Sequence, residues 1–539
     1  MVLFNFLYFS YLFVIFGVAF LSWPRFLVLM ISGLFLGGFC FLSIKNKVKI
    51  FIRLIPFFVA LPLTIHFDSL NLWRLASIII FLQWFWLIRK DFWLKSKELF
   101  NFPKKNIIYF WQNYQIECLW GIIILISIFS IFKATYPLTS LRRIVYFLNL
   151  SLIYFPVKYL VNKEKENILT SFRADFLWAA GLVILIGFFQ LMTSYFFSLD
   201  GFMKFWAAKV QLAFYGHNWS YIVRRLNTWF AYNFSSSLRL RMFSTFPDSH
   251  TFPLFLIISL PWLIWPRINV FYQKLSTSEE SLLSRTKGFL KFKINWPIVF
   301  NFILILSFFI EIILSGTRGI WLGIMLGYLL LLLWWVKIRK NNNYRRFCLE
   351  SSGIILIIFV ISFIYTYLIL GFPQFIHNEN FSFSQGDGLI KRVGSMVNLQ
   401  ETSNSGRIFI WRETVESIVQ NPFLGIGIFN FPIILRENIS MTKAGATAHN
   451  LYLHIAAEIG LLGLFFSSWL FELILKHLVD LVKIKHKTSA GLFFLLLFAF
   501  IWILGYSLTD AAILDERIFL ELAIVAGIVE GMRIKNFEF

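Results

Sequence analysis

A histidine and an asparagine mark the entry to a long apolar segment near the end of the chain. The stretch Thr447 to Gly463 reads T-A-H-N-L-Y-L-H-I-A-A-E-I-G-L-L-G, and His449 and Asn450 open it. Histidine titrates near neutrality, so His449 is a candidate general base. The alternative is a capping and packing role for the His449–Asn450 pair. His454 and Glu458 share one helix face with Asn450, and their spacing predicts an ion pair.

The segment before this histidine contains a candidate anion-binding arginine. Residues 407–420 read R-I-F-I-W-R-E-T-V-E-S-I-V-Q, and a set of apolar side chains recurs there at helical spacing: Ile408, Trp411, Val415 and Ile418. This pattern predicts a helix on a membrane surface. We expect Arg407 in its first turn, where a cation opposes the helix dipole and a phosphate would relieve the conflict. The alternative is an arginine that only reaches lipid headgroups.

Two further arginines lie in polar turns. Arg318 belongs to S-G-T-R-G at 315–319, a tight turn between two apolar segments, and a bidentate guanidinium suits a diphosphate. A headgroup contact is the alternative for Arg318. Arg241 begins R-M-F-S-T-F-P-D-S-H at 241–250 and is a further candidate anion contact. Asp248 and His250 are predicted to start a helix rather than to act chemically.

Composition decides the class of protein that carries these residues. The 539 residues are 58% hydrophobic and only 14% charged, with a mean hydropathy of +0.72. Soluble domains contain about 25% charged residues. Repeated apolar segments of about 18 residues or more indicate transmembrane helices. We therefore predict an all-α, polytopic integral membrane protein with about 12–14 transmembrane helices, the weakest at 51–66 and 514–531.

Charge predicts the topology of these helices. The net charge is +22, and the basic residues concentrate in alternate connecting loops. Such loops face the cytoplasm, so both termini are expected inside and two long loops, about 199–249 and 372–450, outside. Arg142 and Arg143 are also expected outside, where no role is assigned to them. Since helix-flanking Lys and Arg explain the charge, no nucleic acid partner is expected.

Several kinds of site are not indicated. Cys40, Cys118 and Cys348 have no metal-binding spacing, and the chain contains no phosphate-binding loop, dinucleotide fingerprint or H-E-x-x-H motif. We therefore expect neither a metal nor an ATP site, and no cofactor.

Together the motifs resemble the O-antigen ligase and O-antigen polymerase (Wzy-type) family of membrane glycosyltransferases. The matching pieces are S-G-T-R-G at 315–319, G-R-I-F-I-W at 406–411, N-P-F-L-G-I-G-I-F-N-F at 421–431 and A-H-N-L-Y-L-H-I-A-A-E-I-G-L-L-G at 448–463. The resemblance covers about 235–470, and 241–250 looks like the segment that precedes the family's core. It implies an N-terminal transmembrane bundle (1–200), a ligase/polymerase-like core (201–475) and C-terminal transmembrane helices (476–539).

The resemblance also implies an activity. Such an enzyme of the bacterial inner membrane transfers or polymerises a glycan from an undecaprenyl-diphosphate donor onto a sugar hydroxyl, at the outer face, with inversion and without metal. The acceptor is another glycan or the lipid A core. In this chain Arg318 and Arg407 would bind the diphosphate, with Arg241 as a further candidate. His449 would be the catalytic base, supported by Asn450 and Glu458.

Other functions remain open from the sequence. A polytopic transporter or permease of small solutes is the main alternative, and a scaffold for envelope assembly is another. Transporters hold their polar residues near the membrane midplane, whereas here these residues gather at the outer rim, which favours an enzyme. No residue separates ligase from polymerase or from a protein-glycosylating enzyme. The long stretch 372–405 is expected to influence the choice of acceptor.

Overall fold

The structure is a computed structural model. It describes residues 2–64, 67–68, 70–101, 111, 113–224, 229–232, 238–277, 296–337, 342–370, 374–375, 402–436, 447–483 and 489–533. Most of the stretch 372–405, to which we assigned the acceptor choice, lies outside these residues.

Helices make up almost all of the described chain. The first ten are α1 (Val2–Phe20), α2 (Phe26–Cys40), α3 (Ile44–Leu54), α4 (Leu72–Asn101), α5 (Gln115–Ser130), α6 (Pro137–Ser151), α7 (Tyr154–Glu164), α8 (Glu166–Phe196), α9 (Leu199–Phe205) and α10 (Gln211–Val223). The others are α11 (Thr251–Thr277), α12 (Trp296–Leu314), α13 (Arg318–Lys337), α14 (Asn342–Leu370), α15 (Thr402–Gln420), α16 (Leu451–Lys483), α17 (Ala490–Tyr506) and α18 (Glu516–Arg533).

The described strands form two short antiparallel pairs. Strand β1 (Ala60–Leu61) pairs with β2 (Leu70–Asn71), with Ala60 opposite Asn71. Strand β3 (Phe230–Tyr232) pairs with β4 (Leu238–Leu240), with Phe230 opposite Leu240. The second pair ends directly before Arg241 and so fixes the backbone position of that arginine.

The apolar helices confirm an all-α, polytopic membrane protein. Within the described residues, six segments have the length and composition to cross a membrane: Val2–Phe20, Leu72–Lys90, Gln115–Lys133, Pro137–Glu164, Glu166–Phe196 and Leu451–Lys483. Shorter apolar helices accompany them, among them Thr251–Pro266 and Ala490–Tyr506. The division at 200 and 475 stays a prediction. Helices from the first and last of those parts pack together, since Gly527 of α18 lies against the Tyr154 carbonyl of α7.

The weak span expected at 51–66 is not one helix. Helix α3 ends at Leu54, a 3₁₀ turn covers Ile55–Phe57, and β1 follows. Pro56 and Pro62 supply no backbone N–H and crowd the preceding turn, which explains the break. The other weak span, at 514–531, corresponds to α18.

Helix α16 is broken where the 421–431 motif packs against it. Ile459 and Gly460 leave helical geometry, and Gly460 has φ +75°. The break frees two carbonyls of α16, which accept hydrogen bonds from the N–H groups of Ile426 and Gly427 at 2.9 and 3.0 Å. The Leu461 N–H donates to the Pro422 carbonyl at 2.7 Å. The two motifs therefore form one folding unit.

Close packing of α13 against α17 places a second pair of segments side by side. Gly323 of α13 lies against the backbone carbonyl of Trp502, 3.0 Å from where its Cβ would be. Gly319 faces Thr509 in the same way at the end of α17. This approach brings the 315–319 turn to the segment that follows Tyr506.

Substitution of two motif glycines by alanine tests these constraints. Gly460→Ala must place a Cβ in left-handed geometry and against the Phe423 carbonyl. We expect it to destabilise the protein by roughly 1–2 kcal/mol or more. Gly406 lies in α15 with nothing within 4 Å of its Cβ position. Gly406→Ala is therefore expected to be neutral, or stabilising by about 0.5–1 kcal/mol.

The measurement is the thermal unfolding midpoint of both purified variants in detergent, followed by tryptophan fluorescence. A Gly460→Ala protein as stable as the wild type would contradict the proposed constraint at the helix break.

Candidate active site

Residues from four separate parts of the chain meet at one end of the helix bundle. They are the segment from the end of β4 to the start of α11, the α12–α13 turn, the loop after α17, and the start of α16. The Leu451 N–H donates to the Ser507 carbonyl at 2.8 Å, and Met242 N–H to the Leu314 carbonyl at 3.1 Å. The Thr317 hydroxyl donates to the Ser249 carbonyl at 2.7 Å. These bonds hold the four parts in a fixed arrangement.

A buried carboxylate lies between two histidines at this end. Oδ2 of Asp510 is 3.1 Å from Nδ1 of His250 and 3.5 Å from Nδ1 of His449. The Asp510 side chain is 9% exposed, whereas that of His449 is 39% exposed. One carboxylate therefore contacts two imidazoles, of which only His449 is substantially accessible.

The contacts of His250 show which ring nitrogen carries its proton. Its Nε2 lies 3.3 Å from Nη2 of Arg241, and a guanidinium has only donors. Nε2 must therefore accept, so neutral His250 carries its proton on Nδ1. That proton faces both Asp510 and the Tyr506 hydroxyl, which is 3.0 Å from Nδ1. Arg241, His250 and Asp510 thus form a continuous hydrogen-bond chain.

Burial and charge fix the protonation states of His250 and Asp510 in this hydrogen-bond chain. Burial lowers the pKa of His250, and the Arg241 charge acts in the same direction, outweighing Asp510. Burial alone would raise the pKa of Asp510, but its contacts with His250 and His449 hold that pKa well below the usual range. At neutral pH, His250 is therefore neutral and Asp510 is ionised.

His449 has strained backbone geometry and an accessible ring edge. Its φ is +48°, a region that few residues other than glycine adopt and that is enriched at functional sites. Its N–H donates to the Thr447 hydroxyl at 3.3 Å. With Nδ1 turned toward Asp510, Nε2 has no hydrogen bond to the described residues. Among the residues that the structure describes, His449 thus has the arrangement of an oriented base with one unpaired nitrogen.

Arg241 is anchored beside this cluster. Its guanidinium donates to the Ser315 carbonyl at 3.3 Å and to the Thr317 hydroxyl at 3.2 Å. Burial lowers the pKa of Arg241 to about 10, so it remains charged at neutral pH. The charge of Arg407 acts on it in the same direction. Two guanidinium groups therefore lie within electrostatic range of each other, an arrangement that a bound anion would stabilise.

Arg407 and His449 are linked through the helix that carries Arg407. Trp411, one turn after Arg407, donates its Nε1–H to the Ala448 carbonyl at 2.8 Å, next to His449. Arg407 is partly buried, and within the described residues it has no ion pair. The predicted helix at 407–420 is present as α15, but one expectation about it was wrong.

The error concerns its start. α15 begins at Thr402, so Arg407 lies beyond the first turn and the dipole argument does not apply to it. Of the predicted apolar stripe, Ile408 and Val415 are each 46% exposed, whereas Ile418 packs inward beside Ile410. The position of the exposed part on a membrane surface stays a prediction.

Arg318 is the first residue of α13 and is partly buried. The residues on both sides of it contact the cluster, Thr317 through Arg241 and Gly319 through Thr509 and Tyr506. Arg318 thus lies in the same turn that anchors Arg241.

Asn450 and Glu458 have supporting contacts. Oδ1 of Asn450 accepts the N–H groups of Tyr452 and Leu453 at 3.0 and 3.1 Å, so the capping role is present. The His454–Glu458 pair is also present, at 3.6 Å, and Glu458 accepts the Phe431 N–H at 3.3 Å. This pair ties the 421–431 motif to α16.

Two members of the cluster were not found from the sequence. His250 was assigned to a helix start, and this holds for Asp248, whose Oδ1 accepts the Thr251 N–H at 2.9 Å. The side chain of His250 instead joins the cluster. Asp510 is a single acid in a short loop between two apolar segments, and no motif surrounds it. The one available signal was the cost of a carboxylate beside the membrane.

A cavity of about 1180 Å³ opens beside the two histidines. Its polar end includes His250, His449 and Asp510, and its remaining wall consists mainly of apolar side chains of α5, α6, α16 and α18. Within the described chain no group of three His, Cys, Asp or Glu residues forms a candidate metal site.

One comparison with known proteins is informative for this site. Residues 302–468 match the family model described as O-antigen ligase (Wzy_C), just under a third of the chain. The match contains Arg318, Arg407 and His449, whereas Arg241, His250 and Asp510 lie outside it. No match was found among curated proteins. The chain is therefore a multi-pass membrane protein in which residues 302–468 are similar to the O-antigen ligase family, which confirms the resemblance of the motifs.

Proposed function

We propose that this protein transfers a glycan from a polyprenyl-diphosphate-linked donor to a sugar hydroxyl at the His449 end of the bundle. We place this end at the outer face of a bacterial inner membrane, with both termini in the cytoplasm, because the basic loops alternate along the sequence. The reaction is a single displacement without metal, so the anomeric configuration inverts.

The observation that carries the proposal is the contact between Asp510 and His449. A general base needs an accessible nitrogen and a partner that holds the ring and stabilises its protonated form. Nδ1 of His449 faces Asp510 at 3.5 Å, while the side chain stays 39% exposed. The buried network of His250 and Arg241 fixes Asp510 from the other side.

The reaction forms one bond to the anomeric carbon of the donor and breaks another. Nε2 of His449 takes the proton of the acceptor hydroxyl as its oxygen forms a bond with the anomeric carbon of the donor. The bond from that carbon to the diphosphate oxygen breaks, and the electron pair leaves with the diphosphate. His449 becomes an imidazolium ion stabilised by Asp510 and later releases its proton to water.

The arginines neutralise the leaving group. The charge of Arg407 acts on Arg241, and Arg318 lies in the turn that anchors Arg241. Guanidinium groups bind phosphate oxygens in pairs, and preorganised cations lower the barrier to departure of an anion. Asn450 and Glu458 act indirectly by holding the start of α16.

Both a repeat-unit glycan and a lipid-linked core glycan satisfy this chemistry as acceptors. A transporter requires no oriented base beside its substrate, so the contact between His449 and Asp510 favours the enzyme. The transporter is the interpretation that remains if the site proves dispensable.

Substitution of the base and of one arginine tests the proposal. We expect His449→Ala to lower glycan transfer by roughly 10²–10⁴-fold and Arg407→Ala by roughly 100-fold or more. Matched controls are His217→Ala, an exposed histidine, and Arg412→Ala, whose side chain on α15 is 78% exposed. The measurement is the surface glycan pattern of the native host on a gel, at equal protein levels. Arg318→Ala is scored alongside.

The controls should retain the wild-type pattern. A single remaining repeat in the active-site variants indicates polymerase, whereas free lipid-linked polymer indicates ligase. An unchanged glycan in all three active-site variants would overturn the assignment.

Asp510→Asn tests the positioning of the base. The amide keeps the shape of the carboxylate but cannot stabilise an imidazolium ion, so turnover should fall by roughly 10²–10⁴-fold. Because Asp510 does not touch the substrate in this proposal, the KM for the donor should change little. Transfer kinetics of the purified protein separate the two parameters. A raised KM with normal turnover would assign Asp510 to binding instead.

A further inference from the structure

The cavity beside His449 extends along the membrane-spanning helices. Its wall includes Ser467, Leu470 and Ile474 of α16, and a helix rises about 1.5 Å per residue, so the lining reaches roughly 20 Å beyond the break at Ile459–Gly460. This is about two thirds of the thickness of the hydrocarbon core of a bilayer, about 30 Å. The volume of about 1180 Å³ is also above the roughly 300–1,000 Å³ of ordinary small-molecule pockets.

The lining of the cavity includes exposed residues of α5 and α6. Gly121 and Leu148 both line it, and both are exposed, Leu148 by 42%. No neighbouring side chain or other part of the described chain outside α5 lies within 4 Å of the Cβ position of Gly121. This exposed part of the lining is where we place the entry of a hydrocarbon chain from the membrane, and we call it the lateral gap.

Arg143 on α6 supplies the positive charge at the polar end. It is the one Arg or Lys among the described lining residues, and Arg241, Arg318 and Arg407 are not among them. Its guanidinium lies over three aromatic rings, those of Tyr146 and Phe147 at 4.6 Å and that of Phe429 at 5.1 Å. It donates to the Leu514 carbonyl at 3.3 Å. These contacts hold the side chain in place before any ligand arrives.

The acids of the cavity do not neutralise Arg143 directly. Each described carboxylate in the wall has partners of its own: Asp510 with His250 and His449, Glu458 with His454, Glu516 with Asn71 and Tyr146, Glu117 with Lys158, Asp248 with the N–H of Thr251, and Asp515 with the N–H of Arg517. Arg143 has no ion pair within the described residues and can take an external anion.

The 421–431 motif connects Arg143 to the rest of the site. Phe429 of this motif covers the Arg143 guanidinium. The next residue, Asn430, accepts the Tyr136 N–H at 2.9 Å and donates to the Ser140 hydroxyl at 2.8 Å, which fixes the start of α6. The same motif is bonded to the break in α16. Arg143 and His449 are therefore positioned by one shared loop.

We propose that this cavity binds a lipid-linked phosphate, with the phosphate on Arg143 and the hydrocarbon chain extending past Gly121 and Leu148. The inference rests on the proposed function and deepens it, since it adds a lipid-binding site that is separate from Arg241 and Arg407. The phosphate belongs to one of two molecules. One is a lipid-linked acceptor, with the donor diphosphate on Arg241 and Arg407 as proposed above; the other is the donor itself, whose diphosphate Arg143 would then hold in place of that pair.

Direct binding tests the site without requiring transfer. The probe is radiolabelled geranylgeranyl phosphate, measured with purified protein in nanodiscs. Unlabelled geranylgeraniol and inorganic phosphate serve as competitors, since the first has only the hydrocarbon chain and the second only the phosphate. We expect Arg143→Ala to weaken probe binding by about tenfold or more. Arg142→Ala, which removes the same charge from an exposed position next to it, should leave binding unchanged.

A second pair of variants tests the path of the chain. Gly121→Leu places an apolar side chain in the lateral gap, where there is space for it, and should weaken binding of phosphate and alcohol alike, by about tenfold. The control Gly181→Leu also has nothing within 4 Å of its Cβ position and does not line the cavity. Arg143→Lys keeps the charge and should restore part of the binding, which a merely structural arginine would not show.

Transfer kinetics identify the molecule that supplies the phosphate. With donor and acceptor varied separately, Arg143→Ala raises the KM of the donor if the site holds the donor lipid. It raises the KM of the acceptor if the acceptor is itself lipid-linked. Either result supports the site.

Wild-type binding in both Arg143→Ala and Gly121→Leu would overturn the inference. His449→Ala protein provides the separation from the proposed function, since it should lose transfer and still bind the probe. If His449→Ala retains transfer while Arg143→Ala loses binding, the catalytic assignment fails and the lipid site stands.

Discussion

The buried charge of Asp510 is the interaction on which the site depends. A carboxylate with 9% exposure needs hydrogen-bond donors to stay ionised, and the fold supplies two imidazoles from helices far apart in sequence. His250 can donate because Arg241 occupies its other nitrogen. The start of α11, the loop after α17 and the start of α16 must therefore keep one relative position, or the carboxylate loses its partners.

The break at Ile459–Gly460 makes that position possible. An unbroken α16 would satisfy its own carbonyls and leave nothing to bind the 421–431 loop. With the break, this loop contacts α16 on one side and the start of α6 on the other, through Gly427 and Asn430. The loop thus supports both His449 and Arg143. This explains why motifs that look separate in the sequence act together in the structure.

The sequence was sufficient for the membrane class and for most helices. The Asn450 cap and the His454–Glu458 pair follow from local spacing, which hydrogen bonds along one helix obey. Asp510 and His250 could not be predicted, because their role arises from a contact between segments about 260 residues apart. The start of α15 was wrongly assigned, since the polar residues that precede the apolar repeat belong to the helix, which begins at Thr402.

The geometry finally bears on how two substrates can meet at one base. His250 lines the cavity and contacts Arg241, which is not among the described lining residues. The imidazoles therefore connect a cation group outside the cavity with a lipid-sized space inside it. A transferase needs its base near both the departing anion and the incoming hydroxyl, held by separate binding groups so that neither substrate displaces the other. Arg241 with Arg407, and Arg143 with the lateral gap, are the two such groups that we propose around His449.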